Sequence, residues 1–249
     1  MIILIFEDEF EEYISSGISV ICSKVHGFGS DAILLANFAS CKKKDVACDL
    51  GTGCGIIPLI WCANGNAKSI TAVDIQERAT SQLSRSVEKN NLQDKINVVT
   101  ADLKNLKGTV PFGSFDLVTM NPPYKPYNSG ILSDATSDQI ARHEVMCNIY
   151  DVCNTASSLL NFGGRLCLCN RPERLCDVID AMRKAGIEPK QLRFVSKNPF
   201  CPPWLFLIEG KKGSKPYLKI MPQLYMQDMD GNDSEELLNI IGEYGEGKK

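Results

Sequence analysis

From position 45 onward, the chain alternates short apolar runs with amphipathic stretches. Short apolar runs predict buried strands, and stretches with apolar residues three or four positions apart predict helices. Strands that alternate with helices are typical of a mainly parallel sheet. The predicted strands are 46–50, 69–74, 96–100, 115–120 and 165–170, and the predicted helices are 56–64, 76–90, 140–160 and 174–185.

Two further predicted strands, 191–196 and 204–210, close the sheet. The loop between them is too short and too rich in proline for a crossover helix, so these two strands must pair antiparallel. We therefore predict an α/β fold with a Rossmann-like, mainly parallel seven-stranded sheet that ends in a C-terminal antiparallel hairpin.

The segment before position 45 has a weaker pattern. Residues 2–6 and 18–22 predict a strand or hairpin, and Ser30 is a suitable N-cap for an apolar helix that follows it. We expect three parts: an N-terminal strand and helix cap over 1–44, a main domain over 45–220, and a short acidic C-terminal extension over 221–249.

The composition narrows the class of protein. Hydrophobic residues make up 44% of the chain and charged residues 23%, as in soluble globular proteins. No run approaches the roughly 20 apolar residues of a membrane helix, and the apolar start lacks the basic flank of a secretion signal. We therefore predict a cytoplasmic protein that does not bind a membrane. With 2 histidines, and 11 cysteines that include no Cys-x-x-Cys pair, we expect no metal site.

A glycine-rich turn, Asp49-Leu50-Gly51-Thr52-Gly53-Cys54-Gly55, follows the first strand of the predicted sheet. Glycines there allow the backbone to approach a ligand closely. Asp74 ends the next strand, and an acidic residue about 20 positions after such a turn can hold a ribose diol. Asp102 follows the third strand and can accept a hydrogen bond from an adenine amino group. Because carboxyl ends of parallel strands share one edge of the sheet, these acids predict a single nucleotide-binding crevice.

The fourth strand ends in Asn121-Pro122-Pro123-Tyr124. The two prolines fix the backbone, so the amide of Asn121 and the carbonyl of Pro122 are held as two hydrogen-bond acceptors. A planar amino group has two N–H donors that such acceptors can orient. Tyr124 offers a ring on which a base can stack. The motif therefore predicts a site that presents a planar amine for reaction.

These motifs, in this order, resemble those of amino-group methyltransferases in the class I S-adenosylmethionine (SAM)-dependent superfamily. The resemblance spans 45–210 and implies the class I methyltransferase fold and SAM as cofactor. It also implies that Asn121, Pro122 and Tyr124 face the target amine. The residues that we expect around SAM are Asp31, Asp49, Gly51, Gly53, Asp74, Ile75, Asp102, Leu103 and Asn121.

A narrower resemblance is to the bacterial tRNA adenine-N6 methyltransferases that act beside the valine anticodon. Residues 28–36, Arg142-His143-Glu144 and the basic tail 210–222 carry it. It implies methylation of N6 of an adenine in RNA, with tRNA as the expected partner and no obligate protein partner inferred. Three alternatives stay open: a guanine-N2 rRNA methyltransferase, a protein-glutamine N5 methyltransferase and a non-catalytic SAM-binding scaffold.

Positive charge concentrates between positions 165 and 219, with 12 Lys and Arg against 5 Asp and Glu, although the formal net charge of the chain is -3. Phosphates attract such stretches, so we predict that this segment binds RNA and places the target base over Tyr124. The alternative, that it is an ordinary solvated surface, stays open. Phe200 and Trp204 are expected to stack on unpaired bases nearby. The lysines near the end of the segment are Lys211, Lys212, Lys215 and Lys219.

Proline-containing loop motifs also occur at Asn198-Pro199-Phe200 and Pro202-Pro203. Such dipeptides are ordinary loop formers. We expect this loop to lie away from the strand ends that carry the acids.

Overall fold

The computed structural model describes residues 5–15, 17–122 and 147–242. Two strands form an N-terminal hairpin, and nine form a central sheet. The hairpin strands are β1 (Glu9–Ser15) and β2 (Ile18–Ser23). The sheet strands are β3 (Val46–Leu50), β4 (Ser69–Asp74), β5 (Ile96–Thr100), β6 (Phe115–Met120), β7 (Leu160–Asn170), β8 (Ile187–Ser196), β9 (Pro203–Lys212), β10 (Lys219–Ile220) and β11 (Leu224–Tyr225).

The sheet has the spatial order β10-β8-β9-β7-β6-β3-β4-β5, and β11 also pairs with β8. Among the described strands of this sheet, only β9 runs antiparallel to its neighbours. The prediction of a mainly parallel sheet that ends in an antiparallel hairpin is therefore confirmed. The two short strands β10 and β11 extend the seven predicted ones.

Helices cover both faces of the sheet. Side chains alternate along each strand, so Ala47 joins one hydrophobic core and Cys48 joins the other. Helices α1, α2, α3 and α6 and the N-terminal hairpin contribute to the first core, and α4 and α5 contribute to the second. None of the helices in the described ranges is long and apolar enough to cross a membrane. The helices are α1 (Ser30–Phe38), α2 (Ile56–Ala63), α3 (Glu77–Lys89), α4 (Ile149–Leu159), α5 (Leu175–Lys184) and α6 (Glu235–Ile241).

The N-terminal hairpin differs from its prediction. Its first strand, β1, is the acidic segment 9–15 rather than the apolar run 2–6; residues 5 and 6 are outside any strand, and residues 1–4 lie outside the described ranges. The guanidinium of Arg85 in α3 donates to both carboxylate oxygens of Glu9, at 2.6 and 2.7 Å. The prediction was wrong here because β1 is stabilised by charge pairing with a helix that is distant in sequence.

Helix α4 is shorter than the predicted helix over 140–160. Its N-cap is Asn148, whose side-chain oxygen accepts hydrogen bonds from the backbone N–H groups of Tyr150 and Asp151. The Asp151 carboxylate accepts in return from the Asn148 backbone N–H, at 3.1 Å. This capping box starts the helix, so residues 147 and 148 precede it. Residues 140–146 lie outside the described ranges.

The turn between β8 and β9 lies at the edge of the sheet where the parallel strands end. Met120 at the end of β6 pairs with Leu168 of β7, and Asn170 at the end of β7 pairs with Phe206 of β9. The turn precedes β9, which runs antiparallel to β7, so it continues from that same edge. The expectation that this loop lies away from the acids is therefore wrong, because antiparallel pairing returns the turn to the edge that carries them.

The lysines at the end of β9 lie at the opposite edge. Lys211 pairs with Arg165 in the middle of β7 and with Glu188 near the beginning of β8. It comes seven positions after Trp204, which is about 23 Å along a strand. The ammonium of Lys212 donates to the backbone carbonyls of Ser157 and Leu160, at 2.6 and 2.8 Å. Lys212 therefore satisfies carbonyls at the end of α4. Lys211 and Lys212 thus lie away from the strand ends that carry the acids, and the placing of the target base by the lysines of this stretch stays a prediction.

Candidate active site

The glycine turn leads from β3 into α2. Gly51 and Gly53 have φ of +62° and +57°, a backbone region that favours glycine. A Cβ at Gly53 would meet no atom within 4 Å, whereas a Cβ at Gly55 would lie 2.1 Å from Leu83 Cδ1. The third glycine therefore allows α2 and α3 to pack closely. At Gly53 the turn instead faces open space into which a ligand can fit.

Asp74, at the end of β4, is buried and holds this turn in place. One carboxylate oxygen accepts from the backbone N–H of Gly53 at 2.8 Å, and the other accepts from that of Gln76 at 2.9 Å. Each carboxylate oxygen can accept a further hydrogen bond. Ile75 follows with its side chain exposed. The geometry thus places a fixed carboxylate beside the open part of the turn.

Asp102 follows β5 at the same edge of the sheet. Its Oδ1 accepts from the backbone N–H of Lys104 at 2.9 Å and so caps a short 3₁₀ turn, Leu103–Asn105. Its side chain remains 27% exposed. Leu103 is half-buried against the second hydrophobic core. The carboxylate of Asp102 is therefore fixed in direction and accessible to a ligand.

Asp49, at the start of the glycine turn, is buried and only 1% exposed. The Thr119 hydroxyl donates to its Oδ1 at 2.6 Å. Burial raises the pKa of Asp49 to about 7; the hydrogen bond from Thr119 lowers it, and the charge of Asp74 raises it further. No lysine or arginine of the described residues contributes to this pKa. A cationic group bound nearby would therefore favour the ionised carboxylate.

Asn121 follows β6, and its side-chain amide is held from two sides. Its Nδ2 donates to Oδ2 of Asp31 at 3.1 Å, and the Cys169 thiol donates to its Oδ1 at 3.2 Å. The other oxygen of Asp31 accepts from the backbone N–H of Ala32 at 3.0 Å, at the start of α1. Elements α1, β6 and β7 thus fix which way the amide faces.

The glycine turn and Asn121 are neighbours. Leu50 at the end of β3 pairs with Met120 at the end of β6, so Gly51 and Asn121 occupy the next positions on adjacent strands. Pro122 is buried directly after Asn121. Pro123, Tyr124 and the Arg142-His143-Glu144 segment lie outside the described ranges.

The structure brings most of the predicted site residues to one edge, with one difference of detail. Asp31, predicted at the cofactor, contacts the amide of Asn121. Cys169 was not predicted as a site residue, because nothing in an apolar strand sequence indicates its register against Asn121. Within the described ranges, no group of three or more His, Cys, Asp or Glu side chains is arranged to hold a metal ion.

A family model and two relatives that match this chain are all described as methyltransferases. A family model described as methyltransferase small domain matches residues 14–173. A tRNA1(Val) (adenine(37)-N6)-methyltransferase from Parabacteroides distasonis is 28% identical over 187 residues, which is 73% of this chain and 75% of the relative. A protein of the same name from Shewanella woodyi is 24% identical over 227 residues, which is 87% of this chain and 92% of the relative.

A solved structure shows the same fold. It is described as a predicted O-methyltransferase from Agrobacterium tumefaciens and matches with a TM-score of 0.67 and 20% identity. The match covers 85% of this chain and 95% of the other. The likeness at this identity concerns the fold and does not extend to the substrate.

Proposed function

The chain belongs to the methyltransferase small domain family, and we propose that this SAM-dependent methyltransferase modifies N6 of an adenine in RNA, with tRNA as the substrate. The names of the relatives from Parabacteroides distasonis and Shewanella woodyi support this substrate. An rRNA N(6)-adenosine-methyltransferase from Caenorhabditis elegans, 30% identical over 81 residues, has the same target atom in its name.

The residues at the strand ends fit SAM. The glycine turn leaves space at Gly53, and the Asp74 carboxylate beside it suits the ribose hydroxyls. Asp102, accessible and fixed by its capping bond, suits the adenine amino group. Asp49 is a buried carboxyl that a cationic ligand would favour in its ionised form. We assign Gly51, Ile75 and Leu103 to the walls of the same crevice.

Asn121 is the residue on which the reaction depends most. Its amide is held in one orientation beside the glycine turn. We assign its Oδ1 and the Pro122 carbonyl as acceptors for the two N–H groups of the target amine. A thiol is a weak donor, so an amino N–H can replace Cys169 at the same oxygen. Tyr124 is assigned as the ring on which the base stacks.

Orientation, rather than base catalysis, is the task of these side chains. SAM supplies a methyl group on a cationic sulfur, which leaves as a neutral thioether. The two acceptors would orient the N6 amine toward the methyl group that SAM would supply, and the proton that N6 gives up on methylation would pass to water. Such positioning can contribute on the order of 7–11 kcal/mol to lowering the barrier.

The test is a product analysis. The protein is incubated with methyl-labelled SAM and with separate tRNA, rRNA and protein fractions, and the labelled product is digested to nucleosides or amino acids. We expect N6-methyladenosine from the tRNA fraction. N2-methylguanosine, N5-methylglutamine or the absence of transfer to RNA would overturn the proposed function, and each would select one of the alternatives.

A further inference from the structure

The turn between β8 and β9, residues 197–202, extends the edge at which the methyl acceptor is proposed to bind. By register, Asn121 is level with Cys169 of β7, and Cys169 pairs with Leu207 of β9. Trp204 comes three residues before Leu207, which places it about 10 Å beyond that level and about 10 Å across the sheet. The turn is therefore within reach of a nucleotide next to a base held at Asn121.

This turn presents an aromatic ring to solvent from a fixed backbone. Phe200 is 77% exposed. The side-chain oxygen of Asn198 accepts a hydrogen bond from the Phe200 backbone N–H at 3.0 Å. The backbone carbonyl of Asn198 accepts one from the Cys201 backbone N–H at 3.2 Å. Pro199 and Pro202 restrict the backbone on either side of the ring. Because the turn is ordered in advance, binding a ligand against Phe200 loses little conformational entropy.

A second aromatic residue, Trp204, follows Phe200 by four positions, and positive charge lies beside it. The guanidinium of Arg171 lies 5.3 Å from the centroid of the Trp204 ring, and its Nη1 donates to the Trp204 carbonyl at 2.9 Å. Lys197 at the start of the turn is exposed. The sequence from 197 to 208 contains no Asp or Glu. Trp204 is partly buried, so Phe200 supplies the exposed ring. An exposed aromatic ring with nearby cations is the combination that holds single-stranded nucleic acids.

We infer that the β8–β9 turn, with Arg171 and Trp204, binds the nucleotide that neighbours the target adenine, its base stacked on Phe200. This inference rests on the proposed function for the identity of the ligand as RNA. The occupant is an unpaired nucleotide, because a base inside a duplex has no free face for an aromatic ring. Together with Asn121, this surface positions a single-stranded segment of at least two nucleotides across the strand ends.

The first test is the Phe200→Ala variant, with Phe162→Ala as its matched control. Phe162 is 84% exposed and lies beside Gly213 at the opposite edge of the sheet. We expect Phe200→Ala to weaken binding of a tRNA anticodon stem-loop about 5- to 150-fold, the range that corresponds to about 1–3 kcal/mol of base stacking. Phe162→Ala should bind like the wild type. Fluorescence anisotropy gives RNA affinity directly, and calorimetric titration should show unchanged SAM affinity in both variants.

Rescue separates stacking from a general disturbance of the turn. Phe200→Trp should restore RNA affinity, since it keeps a ring, whereas Phe200→Leu should not. The inference is overturned if Phe200→Ala binds RNA like the wild type, or if both alanine variants lose affinity equally. Either result is compatible with wild-type methylation of adenine in RNA, so it leaves the proposed function in place. Wild-type protein that binds the stem-loop through Phe200 but forms no N6-methyladenosine would overturn the proposed function and keep the binding surface.

Discussion

At the scale of single residues, Asp31 has the most informative contact. Its carboxylate accepts a hydrogen bond from Nδ2 of Asn121. Such charge-assisted hydrogen bonds contribute about 1.5–3 kcal/mol to stability. If Asp31 orients Asn121, then Asp31→Asn should lower kcat about tenfold or more and leave SAM affinity unchanged. Steady-state kinetics with RNA and a calorimetric SAM titration measure the two quantities. The exposed Asp94→Asn is the control.

The opposite result, a loss of SAM affinity rather than of kcat, would give Asp31 a different role. A large loss of SAM affinity at near-normal saturated turnover would place Asp31 at the cofactor, as the sequence motif predicts. Asp31→Ala should resemble Asp31→Asn in kcat if the charge matters, because both variants remove it.

Asp49 predicts a pH dependence of cofactor binding. Its pKa is about 7 in the folded protein against an ordinary value of 3.8. A cation bound beside it favours the carboxylate, so SAM binding at pH 6 should release a proton, and binding at pH 8 should release none from this group. SAM affinity should accordingly rise between pH 6 and pH 8. Titration calorimetry in two buffers of different ionisation enthalpy counts the protons.

The Asp49→Asn variant provides the control for this proton release. It should bind SAM without releasing a proton at pH 6. A carboxyl that holds its proton more tightly when folded lowers stability as pH rises from about 4 to 7. SAM-free wild type should therefore lose stability over that window relative to Asp49→Asn. Equal proton release by both proteins would remove Asp49 as its source.

At the scale of elements, the glycine turn depends on a neighbouring strand. Asp74 at the end of β4 accepts from Gly53 and thereby holds the turn that follows β3. We expect Asp74→Ala to reduce SAM affinity about tenfold or more, because it removes a charged acceptor from the ribose and a tether from the turn. Asp74→Asn keeps an acceptor and should show a smaller loss. Unchanged affinity in Asp74→Ala would show that the cofactor lies elsewhere.

The sequence predicted the elements that a local hydrophobic pattern determines, and it missed those that depend on contacts between distant residues. Four strands, β3 to β6, match their predicted bounds. Strands β3, β4 and β6 are mostly buried on both faces and so are short apolar runs, whereas β5 lies at the edge of the sheet and is only partly buried. Strand β1 was missed because its acidic side chains are compensated by α3, a contact that no local pattern contains. The acids Asp49, Asp74 and Asp102 could be placed together, since topology alone brings strand ends to one edge. Cys169 and the β8–β9 turn could not, because register and strand direction are set by long-range pairing.

At the scale of the whole molecule, the two edges of the sheet differ in their proposed roles. Lys211 lies nine positions, or about 30 Å along the strand, from the last residue of the turn that precedes β9. The double variant Lys211→Glu with Lys215→Glu should therefore leave methylation of a short anticodon stem-loop unchanged. Lys212 is left intact because it caps α4. The salt dependence of stem-loop binding should also keep its slope, since each lost phosphate contact would reduce it by about 0.7.

A strong loss of stem-loop methylation in the double variant would contradict these separate roles of the two sheet edges. It would mean that RNA crosses the amino edge of the sheet, and that the basic stretch takes part in placing the base. The comparison is informative only with a short RNA, since a full-length tRNA is large enough to contact both edges.

Strand β9 is hydrogen-bonded along both of its sides, to β7 and to β8. The turn before it is thus anchored by a strand in the interior of the sheet. Its sequence and length can be exchanged while Asn121 and the glycine turn stay in place. Substrate preference is therefore a graftable property in this architecture: transplanting the turn from another enzyme of the same fold should redirect the preferred neighbouring base without rebuilding the chemistry.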